Sequence, residues 1–169
     1  MSRSATPQPL TVLLDTPALV ALANPQHARH AVAVAYFRES LRADATLYLS
    51  VIAAAEFQQG QAVTDLPLRN LVVLPFNIDH AMVAGEVHRS LRGTELAGPA
   101  AAVADDVKLI AQGMAEGVSH VLTDGRCTLA QLLERLREAG RCRIECIDIE
   151  EDFEPAWFTG GQRALLPPE

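Results

Sequence analysis

Short apolar runs alternate with stretches of helical periodicity along this chain, and that alternation constrains the fold more than any other feature. Strand-like runs fall at about 10–14, 46–50, 70–76, 119–123 and 143–148, each followed or preceded by a segment with apolar residues three and four apart. This is the pattern of repeated βαβ units, which predicts one parallel sheet with helices on both faces. The expected class is therefore α/β, a three-layer α/β/α fold around a central parallel sheet of about five strands. Right-handed crossovers follow from strand twist. With 169 residues, 49% of them hydrophobic, the chain can remove about 70% of its unfolded surface from water in a single core. Residues 1–9 read as a flexible leader, 10–149 as the domain, and 150–169 as an acidic, then aromatic, then Gly- and Pro-rich tail.

Boundary residues sharpen the pattern. Thr16 is expected to cap the first helix, with Pro17 at its first position. A second helix covers about 28–43, with Val34, Phe37 and Leu41 on one stripe. Ser50 can cap the helix "VIAAAEFQQG". Val83, Val87 and Leu91 line another at i, i+4 spacing. "GTELAGP" at 93–99 reads as a loop, and Pro99 can start a helix running to Glu116. Thr128 and Gln131 suggest a capping box for a leucine-rich helix closed by Gly140.

Several function classes are excluded or weakened. No apolar stretch approaches the ~20 residues of a membrane span, and "MSRSATPQP" lacks the apolar centre of a secretory signal. A cytoplasmic, bacterial-type protein with no membrane partner is expected. The three cysteines form no CxxC pair. Cys142 and Cys146 would share a strand face, which leaves a zinc pair open, but reduced core thiols are the plainer reading. His27 and His30, one helical turn apart without nearby acids, read as helix surface. The net charge of −7 repels nucleic acid as a whole-molecule field, so a polyanion must be held by local arginines or by metal.

The acids carry the chemistry. Ligands of open α/β sheets bind beyond the carboxyl ends of the strands. Asp15 follows strand one at that rim, and Asp124 follows strand four, directly after Thr123. Glu56 lies in the second turn of the helix leaving strand two. Asp105 has Lys108 three residues on and can form an ordinary ion pair, whereas Asp106 shares its stripe with Leu109, Ile110 and Gly113 and faces the packed side. Carboxylates brought together raise one another's proton affinity. A divalent cation removes that penalty, and oxygen-only ligands suit Mg²⁺ or Mn²⁺, ions able to activate water in phosphodiester hydrolysis.

In this order and spacing, "VLLDTPALVAL", "LYLSVIAAAEFQQG" and "DDVKLIAQGMAEGVSHVLTD" resemble the PIN-domain nucleases, the group that includes VapC-type toxins. The resemblance covers roughly residues 10–149. It implies a Mg²⁺- or Mn²⁺-dependent endonuclease, usually acting on RNA, whose acidic cluster binds one or two metals. Asp15 matches the first-strand acid, Glu56 the acid of the ExxxG helix, Asp106 the acid of "DxxLIA", and Thr123 the hydroxyl ending strand four. On that reading Asp15, Asp106 and Asp124 bind metal, Asp15, Glu56, Asp106, Thr123 and Asp124 form the catalytic set, and Thr16 and Arg126 contact substrate. RNA, an antitoxin protein and a second copy of the chain are the expected partners.

The sequence departs from the family at the fourth acid. Thr-x-Asp is common there, but this chain has Thr123-Asp124-Gly125. Either Gly125 lets Asp124 reach the metal from a shifted turn, or the fourth ligand is missing. A second reading is a PIN-fold binding or regulatory protein with weak or no nuclease activity. A phosphotransfer protein fits poorly, since strand one ends Asp-Thr-Pro without the second acid that such proteins carry there. Arg126 is the best-placed phosphate contact. Arg89, Arg92, Arg135 and Arg137 either extend a cationic track or are solvated helix faces.

Overall fold

Leu13 and Leu14 lie at the centre of the sheet, each 1% exposed, because the strand that carries them has a parallel neighbour on either side. The structure, a computed structural model, describes residues 10–93 and 98–158. The expected leader, part of the 93–99 loop and the end of the tail lie outside those residues. The strands are β1 (Thr11–Leu14), β2 (Thr46–Ser50), β3 (Val72–Leu74), β4 (His120–Thr123) and β5 (Glu145–Asp148). They form one parallel sheet in the order β3-β2-β1-β4-β5. The helices are α1 (Thr16–Ala23), α2 (His30–Arg42), α3 (Val51–Gly60), α4 (Ile78–Ser90), α5 (Ala100–Ala115) and α6 (Thr128–Glu138). They cover both faces in a three-layer α/β/α arrangement.

This strand order fixes where a ligand can go. From β1 the chain passes to β2 on one side, and from β4 it passes to β5 on the other. The loops beyond β1 and β4 therefore part, leaving a crevice at the carboxyl edge, the usual ligand position in such sheets. Leu14 pairs in register with both Leu49 and Leu122, so the residues that follow, Asp15 and Thr123, emerge side by side.

A buried polar network ties α5 to the same edge. Ser50 caps α3 by accepting the Ile52 N–H at 3.0 Å, and its hydroxyl donates to Gln112 Oε1. The Gln112 amide donates to the carbonyls of Leu74 and Pro75 at 3.2 Å each. Both side chains are fully buried, and every bond they make compensates the cost of desolvating them. The consequence is a fixed height for α5 against β2 and β3, and with it a fixed place for Asp106.

Several boundaries differ from the sequence reading. β3 is shorter than 70–76 because a 3₁₀ turn occupies Leu68–Asn70 and Pro75 follows the strand. β5 starts at Glu145, so Cys142 precedes the strand and does not share its face with Cys146. The Cys142 sulfur accepts the Ile144 N–H at 3.4 Å instead. The first helix is capped by Asp15, not Thr16: Asp15 is still extended (φ −87°, ψ 163°) and its carboxylate accepts the Thr16 N–H. The capping box at Thr128 and Gln131 does not form. Cys127 is the cap residue and makes no side-chain cap bond, while the Gln131 amide donates to the Arg126 carbonyl. Beyond β5 the chain folds back, placing the Phe153 ring 4.9 Å from Tyr36 and the Trp157 ring 5.2 Å from His120.

Candidate active site

Asp15 is 4% exposed and Thr123 is fully buried, so the first acid of the crevice is held from below. Its Oδ2 accepts the Thr123 hydroxyl at 2.6 Å and its Oδ1 accepts the Thr16 N–H at 2.7 Å. Burial raises the Asp15 pKa; these two bonds oppose the rise, and the Glu56 charge adds to it. The Thr123 oxygen also lies 3.2 Å from the Cys127 sulfur. Thr123 has one hydroxyl proton, and it goes to Asp15, so the thiol is the donor in that contact. Burial likewise raises the Cys127 pKa and keeps the thiol protonated.

Glu56, exposed on the second turn of α3, accepts the Thr16 hydroxyl at 2.6 Å. Asp106 enters from α5, whose packed stripe (Leu109, Ile110 and Gly113) is buried as expected. Its pKa is raised to about 7, chiefly by burial and then by the charges of Asp15, Glu56 and Asp105. Asp105 is itself engaged by Lys108 at 2.7 Å. Asp15, Thr16, Glu56 and Asp106 all line one cleft of about 360 Å³, together with His27 and Cys127. That volume is ample for a phosphate group and a hydrated cation.

Asp124 and Arg126 do not join this cleft. Asp124 turns outward, where its Oδ1 accepts the Arg126 N–H at 2.9 Å and both its oxygens lie 3.3 Å from the guanidinium. Arg126 holds the Asp124 carboxyl below the usual range and also reaches Glu150 at 3.2 Å. Asp124 is instead engaged in an Asx turn that closes on its own loop, apart from the residues that line the cleft. Gly125 has no left-handed φ. Its requirement is steric, since a Cβ there would overlap the Asp148 carboxylate, which accepts the Gly125 N–H at 2.8 Å. Arg89, Arg92, Arg135 and Arg137 are exposed and lie outside the cleft walls.

The sequence reading did not place His27 and Cys127 at this cleft, whose wall both of them line. His27 is not on a helix face but in the α1–α2 connection. The signal was available: α1 ends at Asn24-Pro25, and its eight residues span only about 12 Å, so whatever follows stays near the rim.

Solved structures of VapC-type toxins share this architecture. VapBC2 from Rickettsia felis, solved bound to a DNA fragment from its promoter, is 19% identical with a TM-score of 0.57 and covers 82% of this chain and 100% of its own. The chain has the PIN-domain fold. VapBC-1 from nontypeable Haemophilus influenzae is 15% identical, with a TM-score of 0.59 over 84% of this chain and 100% of its own. Mycobacterium tuberculosis VapC20, described as a sarcin-ricin loop cleaving toxin, is 19% identical, with a TM-score of 0.53 over 68% of this chain and 91% of its own. No protein-family model and no curated protein matches the sequence.

The cleft offers three carboxylates, the donor chemistry of hard divalent cations. The elevated Asp106 pKa reflects burial first and then the nearby charges of Asp15, Glu56 and Asp105, and a cation in the cleft would favour its ionised form. Among the described residues, no group of three or more His, Cys, Asp or Glu side chains is gathered closely enough to hold a metal ion. No helix among the described residues is long and apolar enough to cross a membrane.

Proposed function

We propose that this protein is a metal-dependent endoribonuclease that hydrolyses RNA phosphodiester bonds, working as the toxin of a toxin–antitoxin pair. The observation that carries the proposal is the facing of Asp15, Glu56 and Asp106 into one cleft at the sheet's carboxyl edge, with Asp106 raised to about 7 by burial and by the other two charges. Such an arrangement costs stability unless a positive charge completes it. The PIN fold and the VapC-type neighbours support the same reading.

In this reading Asp15, Glu56 and Asp106 hold Mg²⁺ or Mn²⁺, which would supply charge neutralisation and activation of water. Thr123 fixes the Asp15 carboxylate so that it does not turn away from the cleft. Thr16 holds Glu56 at the same wall. Asp124 takes no direct part, and Arg126 shapes the loop beside the site. An antitoxin protein and a second copy of the chain are the proposed protein partners.

The test is cleavage of a labelled RNA by the purified chain with EDTA, Mg²⁺ or Mn²⁺, for wild type and Asp106→Asn. Metal-dependent cleavage by wild type alone supports the proposal; metal-independent cleavage, or an active Asp106→Asn, contradicts it. The second reading, a PIN-fold binding or regulatory protein with weak or no turnover, is favoured by the outward Asp124, which leaves three acids in the cleft. It predicts metal and RNA binding by wild type with no cleavage.

A further inference from the structure

Among the described residues, the cleft walls contain acids but no lysine or arginine, which leaves open how a phosphate would be received there. The loop joining α1 to α2 answers with one residue. His27 lines the cleft, and the loop is bonded together around it. Its N–H donates to the Asn24 carbonyl at 2.9 Å and its carbonyl accepts the His30 N–H at 3.0 Å. Its ring Nδ1 accepts the Arg29 N–H at 3.1 Å. The loop is pinned further by the bond between His30 Nδ1 and the Ala21 carbonyl at 2.9 Å and by the Arg29–Glu150 ion pair at 3.4 Å.

The Arg29 amide can only donate, so Nδ1 must present its lone pair and the ring proton sits on Nε2. Among the described residues Nε2 has no hydrogen-bond partner. The Thr16 hydroxyl is already committed to Glu56. We infer that His27 is a substrate-positioning residue whose Nε2–H donates to a phosphate oxygen of the RNA strand in the acidic cleft. This inference rests on the nuclease reading above. A neutral donor suits the place: it gives a phosphate one hydrogen bond without forming an ion pair with Asp15, Glu56 or Asp106, as a lysine or arginine would.

The two ring nitrogens can be tested apart. In His27→Asn, the side-chain oxygen replaces Nδ1 as acceptor for the amide two residues on, and the distal donor is lost. In His27→Gln, the amide nitrogen replaces Nε2–H. A labelled mixed-sequence 20-nucleotide RNA serves as probe, with affinity read by anisotropy in EDTA and KM and kcat read in Mn²⁺.

The expected result is that His27→Asn keeps the wild-type melting temperature and Mn²⁺ affinity. Its RNA affinity should fall about three- to tenfold, the range of one neutral hydrogen bond, with KM rising and kcat little changed. His27→Gln should recover most of the loss. Wild-type affinity in His27→Asn, or equal losses in both variants, overturns the inference while leaving the nuclease reading in place. A wild type that neither binds nor cleaves RNA overturns both.

Discussion

Thr123 Oγ1 and Asp15 Oδ2 lie 2.6 Å apart across the carboxyl ends of β4 and β1, in a position from which water is excluded. The two residues are 108 apart in sequence, and only the parallel pairing of β1 with β4 brings them together. The bond has a direction. Cys127 donates to Thr123 and Thr123 donates to Asp15, so a short chain of polar groups ends on the carboxylate at the cleft.

Replacing Thr123 with Val keeps the shape and removes the donor. Asp15 Oδ2 is then buried without its partner, a change that costs about 1–3 kcal/mol. Urea unfolding of Thr123→Val should show that loss, and RNA cleavage should fall with it because the carboxylate is no longer held. Wild-type stability in the variant would show that Asp15 finds water or another donor, and that Thr123 is not what orients it.

Metal affinity should depend on pH with a known sign. Asp106 is protonated below about 7 in the metal-free protein, and a proton must leave before the carboxylate can bind a cation. Mn²⁺ affinity should therefore fall by up to about tenfold per unit as pH drops below 7, and binding should release a proton to the buffer. Calorimetry at pH 5.5, 6.5 and 7.5 in buffers of different ionisation enthalpy measures both. An affinity that stays flat across that range would remove Asp106 from the ligand set.

Asp124 and Arg126 should matter less than their place in the sequence suggests. The guanidinium is shared between Asp124 and Glu150, so it is not waiting for a phosphate. Arg126→Ala should change the salt dependence of RNA affinity by well under the one unit of slope that a lost phosphate contact gives. Asp124→Asn should retain metal-dependent cleavage that Asp106→Asn loses. Anisotropy across a KCl series and a cleavage assay decide these points. A full unit of lost slope would mean that Arg126 leaves its carboxylates to bind RNA.

What was legible in the sequence follows from which interactions are local. The five strands can be read because buried parallel strands are continuous apolar runs, and Asp106 can be separated from Asp105 because helical periodicity is regular. The role of Asp15 as helix cap was obscured by Thr16, an equally good capping type one residue on; the choice depended on where β1 ends, which its neighbours β2 and β4 decide. The outward turn of Asp124 was not legible, because it depends on Asp148 and Glu150 on or next to a different strand. His27 was missed for a third reason: its spacing from His30 mimics a helix face, while Pro25 and the shortness of α1 set it in a loop.

Removing the Asp106 charge should stabilise the metal-free protein, and only above a certain pH. In the unfolded chain this carboxyl titrates near 3.8, and in the folded protein near 7. Between those values the folded state holds a proton that the unfolded state has released, so folding stability falls as pH rises from about 4 to about 7 and is level beyond. Asp106→Asn cannot ionise and escapes that fall. At pH 4 wild type and variant should therefore unfold alike in EDTA, since the wild-type carboxyl is neutral there. By pH 8 the variant should be more stable. Asp106 is only part-buried, so solvent screening reduces the full effect of the shift, and about 1 kcal/mol is expected, or roughly 2–4 °C in Tm for a chain of this size. Thermal melts in EDTA at pH 4, 6 and 8 give the comparison. If the two proteins differ equally at all three, or if wild type is the more stable at pH 8, then burial and the charges of Asp15 and Glu56 do not raise the Asp106 pKa in the folded protein.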